Sequence, residues 1–408
     1  MTEQPQAGGR GWNRWLTTAT VGAGLLAVGL VSCALVSEDE GRTGALIAPT
    51  PSSTRGPTGT PGPLGTPGPT GTPGPPGTPG TPGTPGTPSP TPGCGVTDLL
   101  VPKCGVWFGA AANPIGNESW DEALPAFEKV IGQPVAIAHY YNSSPGLFPS
   151  ANMIKRAREP GKKRILLLNW KPEMGRTWAE VAAGDPVVDA AIDAEASYLK
   201  TSFPEKFFLT IHHEPEDEVR PAEGSGMTAK DYRAMFRHVV ERLRSNGVTN
   251  AVYVMNYMGT PHWGSQPWFD DLYPGDDVVD WIAEDPYIFS DNPEWSSGLG
   301  RAVNRTQRIY PNWPGLYTWA TAKHPDKPIM LAEWGVDRKL GEPKRSAVFG
   351  TMASQLAAYP QLKALVYWNE TEFRTVGETL LAPDDPSVAT LRKAIDTPPL
   401  KPPAVPKK

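Results

Sequence analysis

Phe207-Phe208-Leu209-Thr210-Ile211-His212-His213-Glu214-Pro215 is a short apolar run that stops abruptly on two histidines, a carboxylate and a proline. Pro328-Ile329-Met330-Leu331-Ala332-Glu333-Trp334-Gly335 repeats the design, an apolar run closed by a carboxylate. Near-continuous apolar runs of this length are expected of parallel strands covered on both faces. Such a strand ending in a carboxylate loses hydration energy unless the carboxylate has a partner or a task. Working outward, further runs fall at 106–111, 135–140, 164–169, 251–256, 279–283 and 364–369, which with 207–213 and 328–333 makes eight. Segments of helical period separate them. The clearest is 229–246, where Tyr232, Met235, Phe236, Val239, Val240 and Leu243 share one face. Thr228 can cap its start and Gly247 its end. Between 298 and 323, Pro311 and Pro314 break any long helix. Eight strands alternating with helices predict an α/β fold, a (β/α)8 TIM barrel. A doubly wound sheet would use similar runs, but the count favours the barrel.

The 408 residues divide sharply. Residues 94–397 read as the globular barrel domain, 398–408 as a flexible tail, and 1–93 contain little that could form a core. A net charge of −5 and the absence of a basic stripe argue against nucleic acid as a partner. Residues 1–15 are a basic flank with Arg10 and Arg14, 16–36 are an apolar run, and Glu38, Asp39 and Glu40 follow. That order is the charge pattern of an exported N-terminus. The run contains Leu30-Val31-Ser32-Cys33, which resembles a bacterial lipobox. Two readings stay open, a lipoprotein signal cleaved and acylated at Cys33 or an uncleaved membrane anchor. Both place the rest of the chain at the outer face of the membrane; full release by secretion is the third outcome. Within the linker 37–93, Gly recurs at every third position from Gly56 to Gly86. This is the steric rule of the collagen triple helix. So few triplets, nearly all carrying Thr, favour a stiff polyproline spacer holding a monomeric barrel over a trimeric stalk. Export permits oxidation, so Cys94 and Cys104 are expected to form a disulfide at the domain edge; the alternative is two free thiols.

The barrel fold places its active site at the C-terminal ends of the strands. Polar residues there are therefore the informative ones: His212-His213-Glu214-Pro215 after the fourth strand, Glu284-Asp285-Pro286-Tyr287 after the sixth, Glu333-Trp334-Gly335 closing the seventh and Tyr367-Trp368-Asn369-Glu370 the eighth. Together, His-Glu-Pro after strand four and Ala-Glu-Trp-Gly after strand seven resemble the retaining β/α-barrel glycosidases. The likeness is nearest to glycoside hydrolase family 26, which includes β-mannanases. Tyr273-Pro274-Gly275-Asp276-Asp277, Asp280-Trp281 and Asp285-Pro286-Tyr287 extend the resemblance, which runs from about Cys104 to Asn369.

The resemblance implies an O-glycosyl hydrolase that cleaves a β-linked cell-wall polysaccharide, its partner being the polymer. No cofactor is expected, and no metal, since His212 and His213 as neighbours on a strand would point to opposite faces and leave His213 without a ligand-spaced partner. Glu214 would be the acid/base and Glu333 the nucleophile, with proximity keeping Glu214 protonated for the first step. His213 would sit beside the acid, Tyr287 would donate to Glu333, and Trp368 would floor the reacting sugar's subsite. His139 and Asn256, near the ends of strands two and five, join the substrate-binding set. Taken singly, a strand-end Glu can simply be ion-paired, His212 reads as a buried hydrogen-bonded histidine, and Trp281 and Trp334 read as core. The chain departs from family 26 mannanases in carrying Thr210 where an Arg precedes the acid Glu by four residues, and Glu216-Asp217-Glu218 where aromatic residues follow it. Mannan specificity is thereby open to mixed-linkage β-glucan or xylan. The second reading is a surface carbohydrate-binding or wall-attachment protein on an inactive barrel.

Overall fold

A computed structural model describes residues 94–143, 145–289, 297–371 and 378–401. The anchor run, Cys33, the glycine triplets and residues 402–408 of the expected tail lie outside the described residues.

Eight parallel strands close into a barrel: β1 (Trp107–Ala112), β2 (Ile137–Ser143), β3 (Ile165–Lys171), β4 (Phe207–Ile211), β5 (Ala251–Tyr257), β6 (Trp281–Glu284), β7 (Ile329–Val336) and β8 (Leu362–Asn369). Each pairs with the next, and β8 returns to β1 with Trp107 opposite Ala364 and Ala112 opposite Asn369. A two-residue strand, Tyr287–Ile288, continues past β6 and pairs with Gly335 and Val336 of β7. The helices are α1 (Trp120–Ile131), α2 (Ala151–Ala157), α3 (Trp178–Ala182), α4 (Pro186–Ser202), α5 (Ala229–Ser245), α6 (Pro261–Gly264), α7 (Leu299–Val303), α8 (Leu316–Lys323), α9 (Lys344–Leu356) and α10 (Pro386–Ile395).

Local chemistry sets these boundaries. Thr228 Oγ1 accepts the N–H of Asp231 at 3.2 Å while Asp231 Oδ2 accepts the N–H of Thr228 at 2.9 Å, a reciprocal cap at the start of α5. Gly247 follows its end at φ +82°. All six residues of the expected apolar face are buried. As the prolines at 311 and 314 require, the 298–323 segment holds only the short helices α7 and α8.

Alternate residues on each strand fall into two separate buried clusters. Phe108, Leu166, Leu168, Leu209, Ile282 and Leu331 face the helices. Trp107, Ile137, Ile165, Leu167, Phe208, Val254, Trp281, Ala283, Met330, Ala332 and Val366 fill the barrel lumen. The period-two alternation of strands thus gives each strand one face for the lumen and one for the helix layer.

At the lumen's N-terminal pole sits the loop between Cys94 and Cys104, closed by their disulfide. Leu100 of that loop joins the lumen cluster. The carbonyls of Leu100 and Leu99 accept the indole N–H groups of Trp107 and Trp281, each at 2.7 Å. The cysteine loop is therefore a plug on which the first layer of the lumen rests. The expected tail also begins later than its composition suggests. Leu400 is fully buried, and Pro399 O accepts the N–H of Val106 at 2.9 Å.

Candidate active site

Ascending the lumen, apolar residues give way to polar ones at the C-terminal mouth. In phase with the lumen residues below them come His139 and Tyr141 on β2, Asn169 on β3, Thr210 on β4, Asn256 on β5, Asp285 after β6 and Trp368 on β8. Some of their buried polar atoms have no protein partner, among them Thr210 Oγ1 and Asn256 Oδ1. Such atoms in a concave mouth invite water or a hydroxylated ligand.

Strand four is shorter than the sequence implies. Extended backbone ends at Ile211, not His213, and His212 and Glu214 both take left-handed conformations, at φ +48° and +52°. Non-glycine residues rarely adopt that region, and here neighbours hold them in it. Tyr232 of α5 donates its hydroxyl to Ile211 O at 3.0 Å and His212 O at 3.1 Å, and the N–H of Glu214 donates to Asn256 O at 3.0 Å. The double twist sends the two histidines apart. The imidazole of His212 meets Trp178 edge-on with centroids 5.2 Å apart and pairs with Glu173, while its Nε2 lies 3.3 Å from Glu218. Burial lowers its basicity, but the carboxylates of Glu173 and Glu218 together outweigh this and raise it above the ordinary value. His212 is thus a buried, hydrogen-bonded histidine. His213 instead meets the ring of Tyr141 edge-on, centroids 5.4 Å apart, and burial holds it well below the usual imidazole range.

On β7 a register irregularity between Leu331 and Trp334 resets the alternation. Met330 and Ala332 face the lumen, whereas Trp334 packs among the helices. The bulge therefore aims Glu333 into the mouth at a position where strict alternation would have placed Trp334. Gly335 lets the strand pass its neighbour here, since a Cβ would come within 2.5 Å of Thr379 Cγ2.

Glu333 is gripped on every side. Tyr141 donates to its Oε1 and Tyr287 to its Oε2, each at 2.5 Å, and its own N–H donates to Asp285 Oδ1 at 2.9 Å. Asn256 Nδ2 donates to Asp285 Oδ2 at 2.6 Å, so this fully buried amide supports Asp285. Burial raises Asp285 well above the carboxylate range, reinforced by the charges of Glu333 and then Glu214. Burial likewise raises the Tyr287 hydroxyl, with Glu333 and Glu214 among the charges it feels. Both carboxylates singled out in the sequence thus act on the same two side chains. His139 Nδ1 lies 3.1 Å from Ala332 O, and burial lowers its basicity to about 3, leaving a neutral ring. Trp368 stands edge-on to Tyr141 with centroids 5.3 Å apart and is half-buried.

No protein-family model matches the chain. Among solved structures, a family 26 β-mannanase from Bacteroides ovatus aligns over 73% of this chain and 90% of that one, with a TM-score of 0.51 and 20% identity. The barrel resembles those of glycoside hydrolase family 26. A modular endo-β-1,4-mannanase from Cellulomonas fimi aligns over 72% of this chain and 71% of that one, with a TM-score of 0.48 and 18% identity. Endoglucanase H of Acetivibrio thermocellus is 24% identical over 277 residues, which cover 66% of this chain and 28% of that protein. The chain therefore spans little more than a quarter of that relative's length. At these identities the likeness is one of fold, and activity has to be argued from the site itself.

Within this family 26-like barrel, the position where the resemblance leads one to expect Arg holds Thr210, fully buried in the wall. Glu216 of the acidic stretch turns inward and is fully buried, and Glu218 receives Lys171 Nζ at 2.7 Å. The sequence reading brought Glu214, Glu333, Tyr287, His213, Trp368, His139 and Asn256 to one mouth but omitted Tyr141 and left Asp285 without a role. Continuing the period of two from His139 would have found Tyr141, which the expected strand end at 140 excluded.

Proposed function

We propose that the protein is a retaining endo-glycoside hydrolase acting on a β-linked cell-wall glycan, β-mannan or a related polymer, with Glu333 as nucleophile and Glu214 as acid/base. The grip on Glu333 carries this reading: one tyrosine hydroxyl on each carboxylate oxygen, both at 2.5 Å. Two donors favour the ionised form and fix its plane, as an attacking carboxylate requires.

In the first step a Glu333 oxygen bonds to the anomeric carbon while the glycosidic bond breaks and Glu214 gives its proton to the leaving oxygen. In the second, Glu214 takes a proton from water as that water attacks the anomeric carbon and the ester bond to Glu333 breaks. Retention by this route needs the two carboxyls ~5–5.5 Å apart. Neutral His139 and His213 bring hydrogen-bonding capacity to the mouth without adding charge, and Trp368 offers a ring for sugar stacking. The export signal and spacer of residues 1–93 support display of this domain at the outer surface of the membrane, with acylation at Cys33 as one route.

The reading is tested by incubating the protein with soluble and insoluble β-mannan, β-glucan and xylan and measuring reducing-end release. Release from at least one polymer, abolished by Glu333→Gln, is expected. Binding without release would instead identify a carbohydrate-binding protein.

A further inference from the structure

Outside the lumen, behind the C-terminal ends of β5 and β6, lies a buried charged cluster that the two-step mechanism leaves unused. Glu284, one residue out of phase with the lumen, is fully buried, and neither carboxyl oxygen has a hydrogen-bond partner. Glu216 is also fully buried, with Oε1 accepting the N–H of Gly259 at 3.1 Å and Oε2 unpartnered. Arg305, just past α7 and 3% exposed, reaches into this volume. Its Nη2 lies 3.9 Å from Glu284 Oε2 and donates to Met258 O and, at 3.4 Å, to Asp285 O. Gly259 makes the room: at φ +66°, a Cβ there would sit 2.8 Å from Glu284 Oε2 and 3.3 Å from Arg305 Nη2.

The guanidinium thereby joins two backbone ends. Met258 lies two residues beyond Asn256, whose carbonyl holds the N–H of Glu214. Asp285 holds the N–H of Glu333. Four carboxyls act on Arg305: Glu284 and Asp285 from β6 and its extension, and Glu214 and Glu216 from the turn after β4. Among the other titratable groups, Tyr257 of β5 feels Glu216, and Tyr359, just past α9, feels Glu284. One cation cannot balance three buried carboxylates and the half-buried Glu214, so most of them must hold protons. Burial pushes Glu284 up to about 8 and Glu216 up to about 7, and raises Asp285 well above its usual range. Glu214 is the one of the four that is only half-buried, so its ionised form is the least penalised, and the guanidinium's charge acts on it.

We propose that Arg305 is a positioning residue that supplies the positive charge against which Glu214 ionises when it acts as base. The inference rests on the reading of Glu214 as acid/base. Esterification of Glu333 removes one negative charge from the mouth, and Glu214 then ionises in the field of Arg305 before accepting the proton of the attacking water. Without that cation the second step, release of the sugar from Glu333, is the one that slows.

The test compares Arg305→Met and Arg305→Lys with the wild type on an activated aryl β-glycoside of the sugar the protein cleaves. The readouts are the pH profile of kcat/KM and the pre-steady-state burst. Arg305→Met is expected to move the alkaline limb upward by about one pH unit, since an opposite charge nearby favours ionisation by one to three units. It should also produce a burst as the glycosyl-enzyme accumulates. Arg305→Lys keeps the charge while losing the fork geometry and should retain the wild-type limb. A scaled-down but unshifted profile for Arg305→Met would overturn the proposal and leave a merely structural role. If Arg305→Met fails to fold, Arg305→Gln is measured in its place, a raised alkaline limb supporting the proposal and an unshifted one overturning it. A wild type that releases no sugar sinks the hydrolase reading and this assignment together; an active wild type with an unshifted Arg305→Met sinks this assignment alone.

Discussion

Tyr287 Oη donates to Glu333 Oε2 at 2.5 Å, and the two-residue strand that carries Tyr287 is itself paired to Gly335, two positions past that glutamate. Donor and acceptor are thus fixed to the same edge of the barrel. Removing the hydroxyl in Tyr287→Phe leaves Tyr141 as the remaining tyrosine donor to this carboxylate. The expected result is a fall in kcat/KM of about a hundredfold, ~2.7 kcal/mol of transition-state stabilisation. The acid limb of the pH profile should move to higher pH, because the ionised form has lost a donor. Steady-state kinetics across pH check both.

Glu195 on α4 is buried, receiving the N–H of Phe148 at 3.2 Å on Oε2, with Oε1 unpartnered. Burial raises this carboxyl to about 8, above the ~4.3 of an unfolded chain. A raised folded value means its contribution to stability is full below about pH 4.3 and is lost as pH rises through 8. Glu195→Gln should therefore be close to neutral at pH 4.5 and stabilising at pH 8, by on the order of 1–3 kcal/mol. Urea unfolding at the two pH values measures the difference.

Much of the barrel was legible because buried parallel strands leave continuous apolar runs, and the face of α5 was legible because its period is regular. The mouth was legible only in part. Alternation along a strand finds His139 and Asn256, but the bulge that aims Glu333 inward leaves no mark in the run from Ile329 to Trp334. The left-handed turns at His212 and Glu214 were hidden for the same reason: they are imposed by Tyr232 and Asn256 from other strands and helices, not by local preference. Glu216 and Glu284 look like ordinary surface acids in a sequence; only the fold buries them beside Arg305.

Because the cysteine loop sits at the pole opposite the mouth, it should govern stability without touching chemistry. Closing a loop with a sequence separation of 10 contributes about 3 kcal/mol by restricting the unfolded chain. Cys94→Ser with Cys104→Ser should lower unfolding free energy by about that amount. Turnover well below the melting temperature should be unchanged. A matching loss of kcat at low temperature would show that the plug reaches the site.

Arg164 and Glu128 form a bidentate pair at 2.7 Å on both arms, with side chains 0% and 4% exposed. Glu128 also accepts the N–H of Val135 at 3.1 Å. Glu128→Ala leaves the buried guanidinium with only Glu159 Oε2, at 3.0 Å, as carboxylate partner and should cost about 2–3 kcal/mol. Replacing both residues with methionine should recover a large part of that loss, as chemical denaturation of the single and double variants will reveal.

The most direct test of the central claim follows the anomeric proton of the newly formed reducing end by NMR in the first minutes of hydrolysis of a β-linked oligosaccharide. Double displacement through Glu333 predicts that the β-anomer appears first and mutarotates afterwards. The α-anomer appearing first would contradict the account, as would undiminished product from Glu333→Gln.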